Sequence, residues 1–286
     1  MTKNKNFNTA ITIESNSKLL DLSTPAIMGI LNLTDDSFYD GGQHNSIKKA
    51  LLQIEKMLDN GAKIIDIGAY SSRPNAKHIS QDEEWKRLEK TLQIINKEFP
   101  QTMVSVDTFR SEIAKRSADN GADIINDISA GNLDKMMFDT IADLDVPYII
   151  MHMQGTPQNM QDKPHYNCIE KEVVDYFSSK IKILNEKGVN NIIIDPGFGF
   201  GKTLEHNYQL LNNLEELHAL NLPLMAGISR KSMIYKVLET DANNALNGTT
   251  TIHTLCLSKG VSILRVHDVK EAAECVKLIN FAKNLL

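Results

Sequence analysis

The sequence predicts an α/β protein, a closed (β/α)8 TIM barrel built as a single domain. Short apolar runs alternate with segments of helical periodicity, which is the pattern of a parallel sheet. Eight such strand–helix units lie between residues 25 and 286, and a barrel of this kind needs about 250 residues. No linker or low-complexity segment separates the units. Eight units in this length favour a closed barrel over an open, doubly wound sheet.

Residues 1–24 form an N-terminal extension in this prediction, and residues 25–286 form the barrel. The extension is mostly polar, but Ile11 and Ile13 alternate with polar residues, and Leu19 and Leu20 follow them. Alternation of this kind is typical of a half-buried strand. We therefore expect a short hairpin that packs against the body of the barrel.

Each predicted strand is an apolar run that stops at a polar side chain. The runs cover 26–31, 64–68, 103–106, 124–125, 146–151, 191–194, 224–228 and 261–264. In the sixth run, three consecutive isoleucines indicate a strand that is buried on both faces. It stops at Asp195, after which Pro196 and Gly197 break the extended backbone. A carboxylate at the tip of a buried strand needs a polar partner, a cation or a ligand.

The helices are predicted from apolar residues at helical spacing and from signals at their ends. Ser46 is expected to cap the first helix, which stops before Gly61. Ser80 and Glu83 form the pattern of a capping box for the second helix. A further short helix ends near Gly121, and the remaining predicted helices cover 168–187, 245–259 and 272–282.

Polar side chains cluster at or just past the predicted strand ends, namely Asn32, Asp107, Asn126, His152, Asp195, Lys231, Arg265 and His267. A barrel brings the carboxyl ends of its strands to one mouth. Burying so many charged groups costs several kcal/mol unless they pair or meet a ligand. Two carboxylates and an amide suit a heterocycle with several N–H donors. Ser72 and Arg73, with the basic groups of the last strand, suit a phosphate-type anion.

Several of these residues also have a purely structural interpretation. Asp107 could cap the following helix, Asn126 could bond its own backbone in a turn, and His152 could be a packed, hydrogen-bonded histidine. Asp66, Asp127 and Asp268 are interpreted as caps or supporting groups and are left out of the predicted site.

The segment Gly201-Lys202-Thr203 resembles the end of a phosphate-binding P-loop. That motif needs a glycine where this chain has Pro196, so the P-loop interpretation is rejected. The glycines at 197, 199 and 201 are instead expected to let a loop pass close to a flat ligand.

Composition limits the classes of partner and the compartment. A net charge of -5 argues against nucleic acid as a partner. No apolar stretch approaches the 18 or so residues that span a bilayer, and no signal peptide is evident, so no membrane partner is expected. Cys168, Cys256 and Cys275 form no C-x-x-C pair. Reduced thiols in a cytoplasmic protein fit this pattern better than a disulfide framework or zinc site.

Taken together, the motifs resemble those of the dihydropteroate synthase family. The motif segments are 28–34, 36–42, 105–108, 125–128, 151–153, 195–202, 229–232 and 265–268. The resemblance runs from about residue 25 to the end of the chain, and the set is specific although no single motif is. It implies a barrel that joins 6-hydroxymethyl-7,8-dihydropterin pyrophosphate to 4-aminobenzoate, giving 7,8-dihydropteroate and pyrophosphate.

The resemblance also implies roles for individual residues. The pterin is held by Asp107, Asn126, Met151, Asp195, Phe200, Gly227 and Lys231. The pyrophosphate and its Mg²⁺ are served by Asn32, Arg73, Arg265 and His267, with Asn32 as the metal residue. The 4-aminobenzoate pocket uses Phe38, Ser72, Pro74 and Ser229. The catalytic residues implied are Asp107, Lys231, Arg265 and His267, and the family suggests a homodimer through the last helices.

The family mechanism fits this residue set. Pyrophosphate leaves first, and the neutral arylamine then attacks the pterin-methyl cation, so no strong base is needed. Catalysis is then mainly electrostatic. Two departures from the family pattern concern the 4-aminobenzoate side and sulfonamide binding: Asp35 stands where proline is usual, and Tyr70 where glutamate is usual.

Three alternatives stay open at this point. A methyltetrahydrofolate:corrinoid methyltransferase domain has a similar fold and pterin site. A non-catalytic pterin-binding barrel is a second alternative. A phosphate-handling barrel lyase is a third, but it would need a Schiff-base lysine inside a strand, and Lys231 lies past its strand.

Overall fold

The computed structural model describes residues 12–33, 43–71 and 78–285 of the chain. Ten strands occur in these ranges: β1 Thr12–Ser15, β2 Lys18–Asp21, β3 Ala26–Asn32, β4 Ile64–Gly68, β5 Met103–Asp107, β6 Ile124–Asp127, β7 Tyr148–Met151, β8 Ile192–Asp195, β9 Met225–Ala226 and β10 Ile263–Val266. Strands β3 to β8 pair in chain order, all parallel, and β10 joins β3 to β9. A bridge between Ile194 and Leu224 connects β8 with β9. The predicted eight-stranded barrel is confirmed.

Helices follow the strands in the manner of a TIM barrel. They are α1 Gln43–Asp59, α2 Gln81–Glu98, α3 Ser111–Asp119, α4 Met137–Leu144, α5 Ile169–Glu186, α6 Leu204–Asn212, α7 Ser232–Tyr235, α8 Leu246–Ser258 and α9 Val269–Lys283, with a 3-10 helix at Leu214–Leu220. The sequence pattern gives no signal for α4, α6 or α7, because each is short. Ser46 lies inside α1, so it does not cap that helix. Ser80 does cap α2, accepting a hydrogen bond from the Glu83 backbone.

The strands are shorter than predicted at two places. The fifth predicted barrel strand, β7, begins at Tyr148 and not at Val146, because Pro147 has no N–H to donate to the ladder. The seventh predicted barrel strand, β9, spans only Met225–Ala226. Gly227 and Ile228 follow it at the rim of the barrel.

Side chains alternate between two layers along every barrel strand. One set, which includes Ile65, Ile67 and Val106, packs outward against helix residues such as Leu88 and Leu92. The other set points into the barrel. Its lower part is an apolar floor of Met28, Ile64, Met103, Ile124, Ile149, Ile193, Met225 and Ile263. The upper part of the interior is polar and forms the candidate site.

The hairpin of β1 and β2 closes the amino-terminal end of the barrel. Asn16 and Ser17 form its two-residue turn with positive φ angles of 47° and 64°, as a type I′ turn requires. Ile13 is fully buried against the apolar floor. Lys18 forms an ion pair with Asp123, with Nζ 2.8 Å from Oδ2. The expected hairpin is therefore present, and it seals the end of the barrel opposite the candidate site.

Candidate active site

The polar residues of the barrel mouth project from the carboxyl ends of neighbouring strands. Asp107 and Asp195 are the last residues of β5 and β8, and Asn126 is the penultimate residue of β6. Arg265 lies in β10 beside Met28 of β3. The alternation that sends the floor residues inward also sends these side chains inward, two positions further along β6, β8 and β10 and four positions further along β5. One mouth therefore gathers them, and Asp66 of β4 connects Asn126 with Arg265.

Arg265 is the centre of a partly buried hydrogen-bond network. Its Nε donates to Oδ2 of Asp66 at 2.6 Å, and its Nη2 donates to Oδ2 of Asp107 at 2.7 Å. Asn126 donates from Nδ2 to the same oxygen of Asp66 at 3.2 Å. Burial alone would lower the pKa of Arg265, but the two carboxylates outweigh it and raise that pKa. The guanidinium stays charged and is fixed from two sides.

Asp107 is neither a helix cap nor an ordinary surface carboxylate. The residue at the cap position of α3 is Arg110. Burial raises the pKa of Asp107 to about 7, because the attraction of Arg265 is smaller than the combined effect of burial and the neighbouring negative Asp66. Asp107 therefore changes charge near neutral pH. Its ionised form can accept a hydrogen bond from a donor group on a ligand.

Asp195 and Lys231 form the opposite side of the mouth. Asp195 accepts a hydrogen bond from the backbone of Gly197 at 2.8 Å, and burial raises its pKa despite the nearby lysine. Lys231 donates to the carbonyl of Phe198 at 2.5 Å, and its Nζ lies 4.6 Å from the centre of the Phe200 ring. Burial lowers the pKa of Lys231 to about 8, although Asp195 partly restores it.

The backbone at Lys231 is set by the residue before it. Arg230 has a φ of 53°, a left-handed conformation that is uncommon outside glycine. Its side chain pairs with both oxygens of Asp268 at 2.8 and 3.0 Å and donates to the carbonyls of Ala242 and Asn243. Asp268 thus supports the loop that carries Lys231, which agrees with its interpretation as a supporting group.

An apolar wall lies beside the charged groups. It consists of Ile128, Met151, Met153 and Met160, with Phe109 and Phe200 packed against them. A thioether and an aromatic ring offer a flat, polarisable surface to a ring-shaped ligand. Met151 and Phe200, both implied as pterin residues, lie in this wall.

Glycine is suited to three positions of the site for two different structural reasons. A Cβ on Gly227 would make only ordinary contacts, with Asp195 at 3.8 Å and Arg265 at 3.9 Å, so the absence of a side chain leaves space between these two charged groups. Gly197 and Gly201 have positive φ, and a Cβ there would meet the carbonyls of His152 at 2.0 Å and Gln154 at 2.6 Å. The expectation that these loop glycines approach a ligand is therefore wrong for 197 and 201, since they approach the protein's own backbone.

A cavity of about 250 Å³ opens beside Gly199, on the side of the loop that faces α6 and α7. Ser232 and Lys236 line it together with Lys202, Thr203 and Asn207. Ser229, the serine implied for the 4-aminobenzoate pocket, does not line this cavity. It is buried, and its hydroxyl accepts a hydrogen bond from the backbone of the exposed His267 at 3.3 Å.

Some predicted site residues lie outside the described residues, namely Phe38, Ser72, Arg73 and Pro74, and so does Asp35. Tyr70, at the edge of this gap, is described. Its hydroxyl lies 3.2 Å from Nδ1 of His78, and its ring packs edge-on against Phe109 with centroids 5.0 Å apart. Tyr70 thus forms an aromatic cluster with Phe109 and His78 at this edge.

His152 is a packed, hydrogen-bonded histidine. Its ring lies against Tyr176, and its Nδ1 is 3.0 Å from Nζ of Lys202. Burial, with a smaller effect of Lys202, lowers the pKa of His152 to about 2, so the ring is neutral. Asp127 accepts hydrogen bonds from Ser129, Gly131 and Tyr148 and thereby shapes the loop after β6. The structural interpretations of both residues are confirmed.

Sequence reasoning missed three residues of this region: Asp66, Lys202 and Ser232. Asp66 is fully buried, and one of its oxygens, Oδ1, has no hydrogen-bond partner in the described structure. A signal for it exists, because Asp66 shares the parity of Ile64 and Gly68 and so must point into the barrel. Lys202 was not considered further once the P-loop motif that contains it had been rejected. Ser232 was overlooked because Ser229, in the same motif, was assigned to the site.

Within residues 12–33, 43–71 and 78–285, no three histidine, cysteine or acidic side chains are grouped as they would be around a metal ion. None of the helices in these ranges has the length and hydropathy needed to cross a membrane.

The fold and the site define a pterin-binding enzyme barrel. The family described as "Pterin binding enzyme" matches residues 28–267. The dihydropteroate synthase of Haemophilus influenzae is 42% identical over 266 residues, which are 92% of this chain and 96% of that protein. The chain belongs to the dihydropteroate synthase family.

Solved structures of this family have the same architecture. The Yersinia pestis dihydropteroate synthase in a sulfonamide drug complex aligns with a TM-score of 0.90 at 39% identity, over 96% of this chain and 100% of that chain. The Xanthomonas albilineans dihydropteroate synthase with 4-aminobenzoic acid aligns with a TM-score of 0.89 at 33% identity, over 96% and 99% of the two chains. These similarities favour the synthase over the methyltransferase, lyase and non-catalytic alternatives.

Proposed function

We propose that this protein condenses 6-hydroxymethyl-7,8-dihydropterin pyrophosphate with 4-aminobenzoate, releasing pyrophosphate and 7,8-dihydropteroate for folate biosynthesis. One observation carries the proposal. The half-buried carboxylate of Asp107 and the buried carboxylate of Asp195 lie in the same mouth as Arg265, and Arg265 is hydrogen-bonded to Asp107. A ring with several N–H donors and a phosphate-type anion on the same substrate would satisfy both halves of this arrangement.

In this proposal Asp107, Asn126, Asp195 and Lys231 bind the polar edge of the pterin. Charge-assisted hydrogen bonds contribute about 1.5–3 kcal/mol each, so this edge can discriminate strongly between ring systems. Met151 and Phe200 cover the faces of the ring, and Gly227 leaves room for it. Arg265 and His267, with Arg73, bind the pyrophosphate.

The reaction proceeds by departure of the pyrophosphate and then attack by the amine. The bond between the pterin methylene carbon and the pyrophosphate oxygen breaks, and the oxygen keeps the electron pair. The carboxylates of Asp107 and Asp195 stabilise the cation that develops on the pterin. The arylamine nitrogen then bonds to the methylene carbon and loses a proton. The basic groups stabilise the leaving anion, so Asp107, Lys231, Arg265 and His267 are the proposed catalytic residues.

The proposed metal is Mg²⁺, with Asn32 as its protein ligand. Asn32 is the half-buried last residue of β3, it lies beside Gly68 at the rim, and its side chain makes no hydrogen bond with the described residues. An amide oxygen in this position suits Mg²⁺, which keeps several waters and takes other ligands from substrate phosphates. When bound, the ion would neutralise charge on the pyrophosphate.

The acid of 4-aminobenzoate is proposed to bind at the loops that carry Phe38, Ser72 and Pro74 and at the loop of Ser229. Ser232 and Lys236 are added to this set, because they line the cavity beside Gly199 and offer a hydroxyl and an ammonium to a carboxylate.

The proposed assembly is a homodimer of single-domain barrels, each comprising residues 25–286 with an extension of 1–24. Leu278, Phe281 and Leu285 at the end of the chain are 71%, 69% and 74% exposed, which supports a partner surface on α9. The proposed location is the cytoplasm, in keeping with the free thiols of Cys168, Cys256 and Cys275.

Genetic complementation tests the proposed activity in cells. The chain is expressed in a bacterium that lacks its own dihydropteroate synthase, and growth without added folate end products is scored. We expect growth with the parent chain and none with Asp195→Asn at equal protein level. If the bacterium does not grow although the parent chain is soluble and binds pterin, the proposed synthase activity is contradicted. That result would favour a non-catalytic pterin-binding protein.

A further inference from the structure

The Gly201-Lys202-Thr203 segment, rejected as a P-loop, contains a lysine that is almost completely buried. Lys202 is 4% exposed. Its ammonium lies 2.9 Å from the carbonyl of Gly197, 3.0 Å from that of Phe200 and 3.3 Å from that of His152. Nδ1 of His152, at 3.0 Å, completes the set. The three carbonyls accept hydrogen bonds from the ammonium, and Nδ1 of the neutral imidazole is a fourth acceptor in the tautomer that carries its proton on Nε2.

The three carbonyls favour the charged form of Lys202, whereas burial lowers the pKa of its ammonium to about 7. An ammonium has three donors, whereas a neutral amine has two and a lone pair that would face acceptors. A carbonyl that is left without a donor in a buried setting destabilises the fold. The ammonium thus joins the loop after β8 to the loop after β7.

The loop held by Lys202 is the one that contacts Lys231. The carbonyl of Phe198 accepts a hydrogen bond from Lys231, and the ring of Phe200 lies beneath the Lys231 ammonium. The close approach of Gly197 and Gly201 to the backbone of His152 and Gln154 shows how tightly this loop is seated. The ammonium of Lys202 is directed at the backbone carbonyls of this loop, and the residue also lines the cavity beside Gly199.

We propose that Lys202 is a positioning residue for pterin binding, which acts by fixing the Phe198 carbonyl and the Phe200 ring and thereby the ammonium of Lys231. The inference rests on the proposed function, because it takes Lys231 as a pterin-binding group. A structural lysine without this role would affect folding but not the strength of the contact between Lys231 and its ligand.

A double-mutant cycle tests this coupling. The probe is 6-hydroxymethylpterin, which has no pyrophosphate, and its dissociation constant is measured by calorimetry. The proteins are the parent, Lys202→Met, Lys231→Met and the double variant. We expect Lys202→Met to weaken binding about tenfold in the parent. In the Lys231→Met background, the same change should weaken binding by no more than about threefold. Equal factors in both backgrounds, or unchanged affinity in Lys202→Met, would overturn the proposal.

Two further variants separate positioning from stability. Lys18→Met removes another lysine that is bound to a buried partner, Asp123, at the opposite end of the barrel. It should lower the denaturation midpoint without changing pterin affinity. His152→Phe keeps a ring against Tyr176 but removes one acceptor of Lys202, so it should weaken pterin binding less than Lys202→Met and through the same coupling. If Lys202→Met does not fold, the cycle is run with His152→Phe, and additivity there overturns the proposal. A parent chain that binds no pterin would overturn the proposed function as well, whereas a parent that binds without coupling overturns only this inference.

Discussion

Arg265 donates a hydrogen bond from Nη2 to Oδ2 of Asp107 at 2.7 Å, so the arginine proposed for the pyrophosphate is ion-paired with a carboxylate proposed for the pterin. The two halves of the substrate site are therefore electrostatically linked. The positive charge of Arg265 lowers the pKa of Asp107, which burial otherwise raises. A change at either residue should alter the ionisation or the orientation of the other.

Replacement of Arg265 tests which part of the substrate this residue serves. Arg265→Ala should weaken binding of dihydropterin pyrophosphate about tenfold to a hundredfold more than binding of free 6-hydroxymethylpterin, because it removes charge-assisted bonds to the anion. Any effect that acts through the ionisation of Asp107 weakens the binding of both ligands. It therefore cancels in the ratio of the two affinity losses. Calorimetry with both ligands measures the ratio, and Arg116→Ala, on the surface of α3, is the control. Equal losses for the two ligands would place the anion elsewhere.

The role of Asp195 is tested by an isosteric change. Asp195→Asn should weaken binding of 6-hydroxymethylpterin at least tenfold, about 1.4 kcal/mol, because a charge-assisted bond to the ring is lost. Asp123→Asn is a matched control, since Asp123 is equally buried but pairs with Lys18 at the other end of the barrel. The control should lose stability and keep its affinity. An unchanged affinity of Asp195→Asn would exclude Asp195 from the pterin pocket.

The pH dependence of kcat/KM should be bell-shaped. Binding needs ionised Asp107, whose pKa is about 7, and charged Lys231, whose pKa is about 8. Activity should therefore fall as the pH drops below the first value and as it rises above the second. In Lys231→Arg the alkaline limb should move beyond the measured range, because a guanidinium stays charged. An alkaline limb that does not move in this variant would belong to another group.

The hairpin at the amino-terminal end should contribute stability without affecting the site. Ile13 is fully buried against the floor of the barrel, so Ile13→Ala should lower the free energy of unfolding by about 3 kcal/mol. Glu14→Ala, at the exposed neighbouring position, should change it by less than about 0.5 kcal/mol. Urea denaturation gives these values. A large rise in KM for either substrate in Ile13→Ala would show that the hairpin acts on the site.

The barrel was predictable because its signals are local. Buried strands such as Ile192–Asp195 are apolar runs, and the stop at a polar residue marks the mouth. Helix α6 was missed because its nine residues carry little periodic pattern, and the shortness of β9 depends on its neighbours in the sheet. Both are consequences of tertiary packing, which a local pattern does not record.

The site was predictable only in part, for a related reason. The positions of Asp107, Asn126, Asp195 and Arg265 follow from strand ends and strand parity. The contacts of Arg265 with Asp66, and of Lys202 with the carbonyls of two loops, join residues far apart in the chain. No spacing in the sequence encodes such pairs, so they required the structure.

The most direct test of the account is pyrophosphate release by the purified protein. Dihydropterin pyrophosphate and Mg²⁺ are mixed with the protein in the presence and absence of 4-aminobenzoate, and both pyrophosphate and 7,8-dihydropteroate are measured. The account predicts release that depends on 4-aminobenzoate and equals the dihydropteroate formed. Pterin binding without release in the presence of 4-aminobenzoate would contradict it.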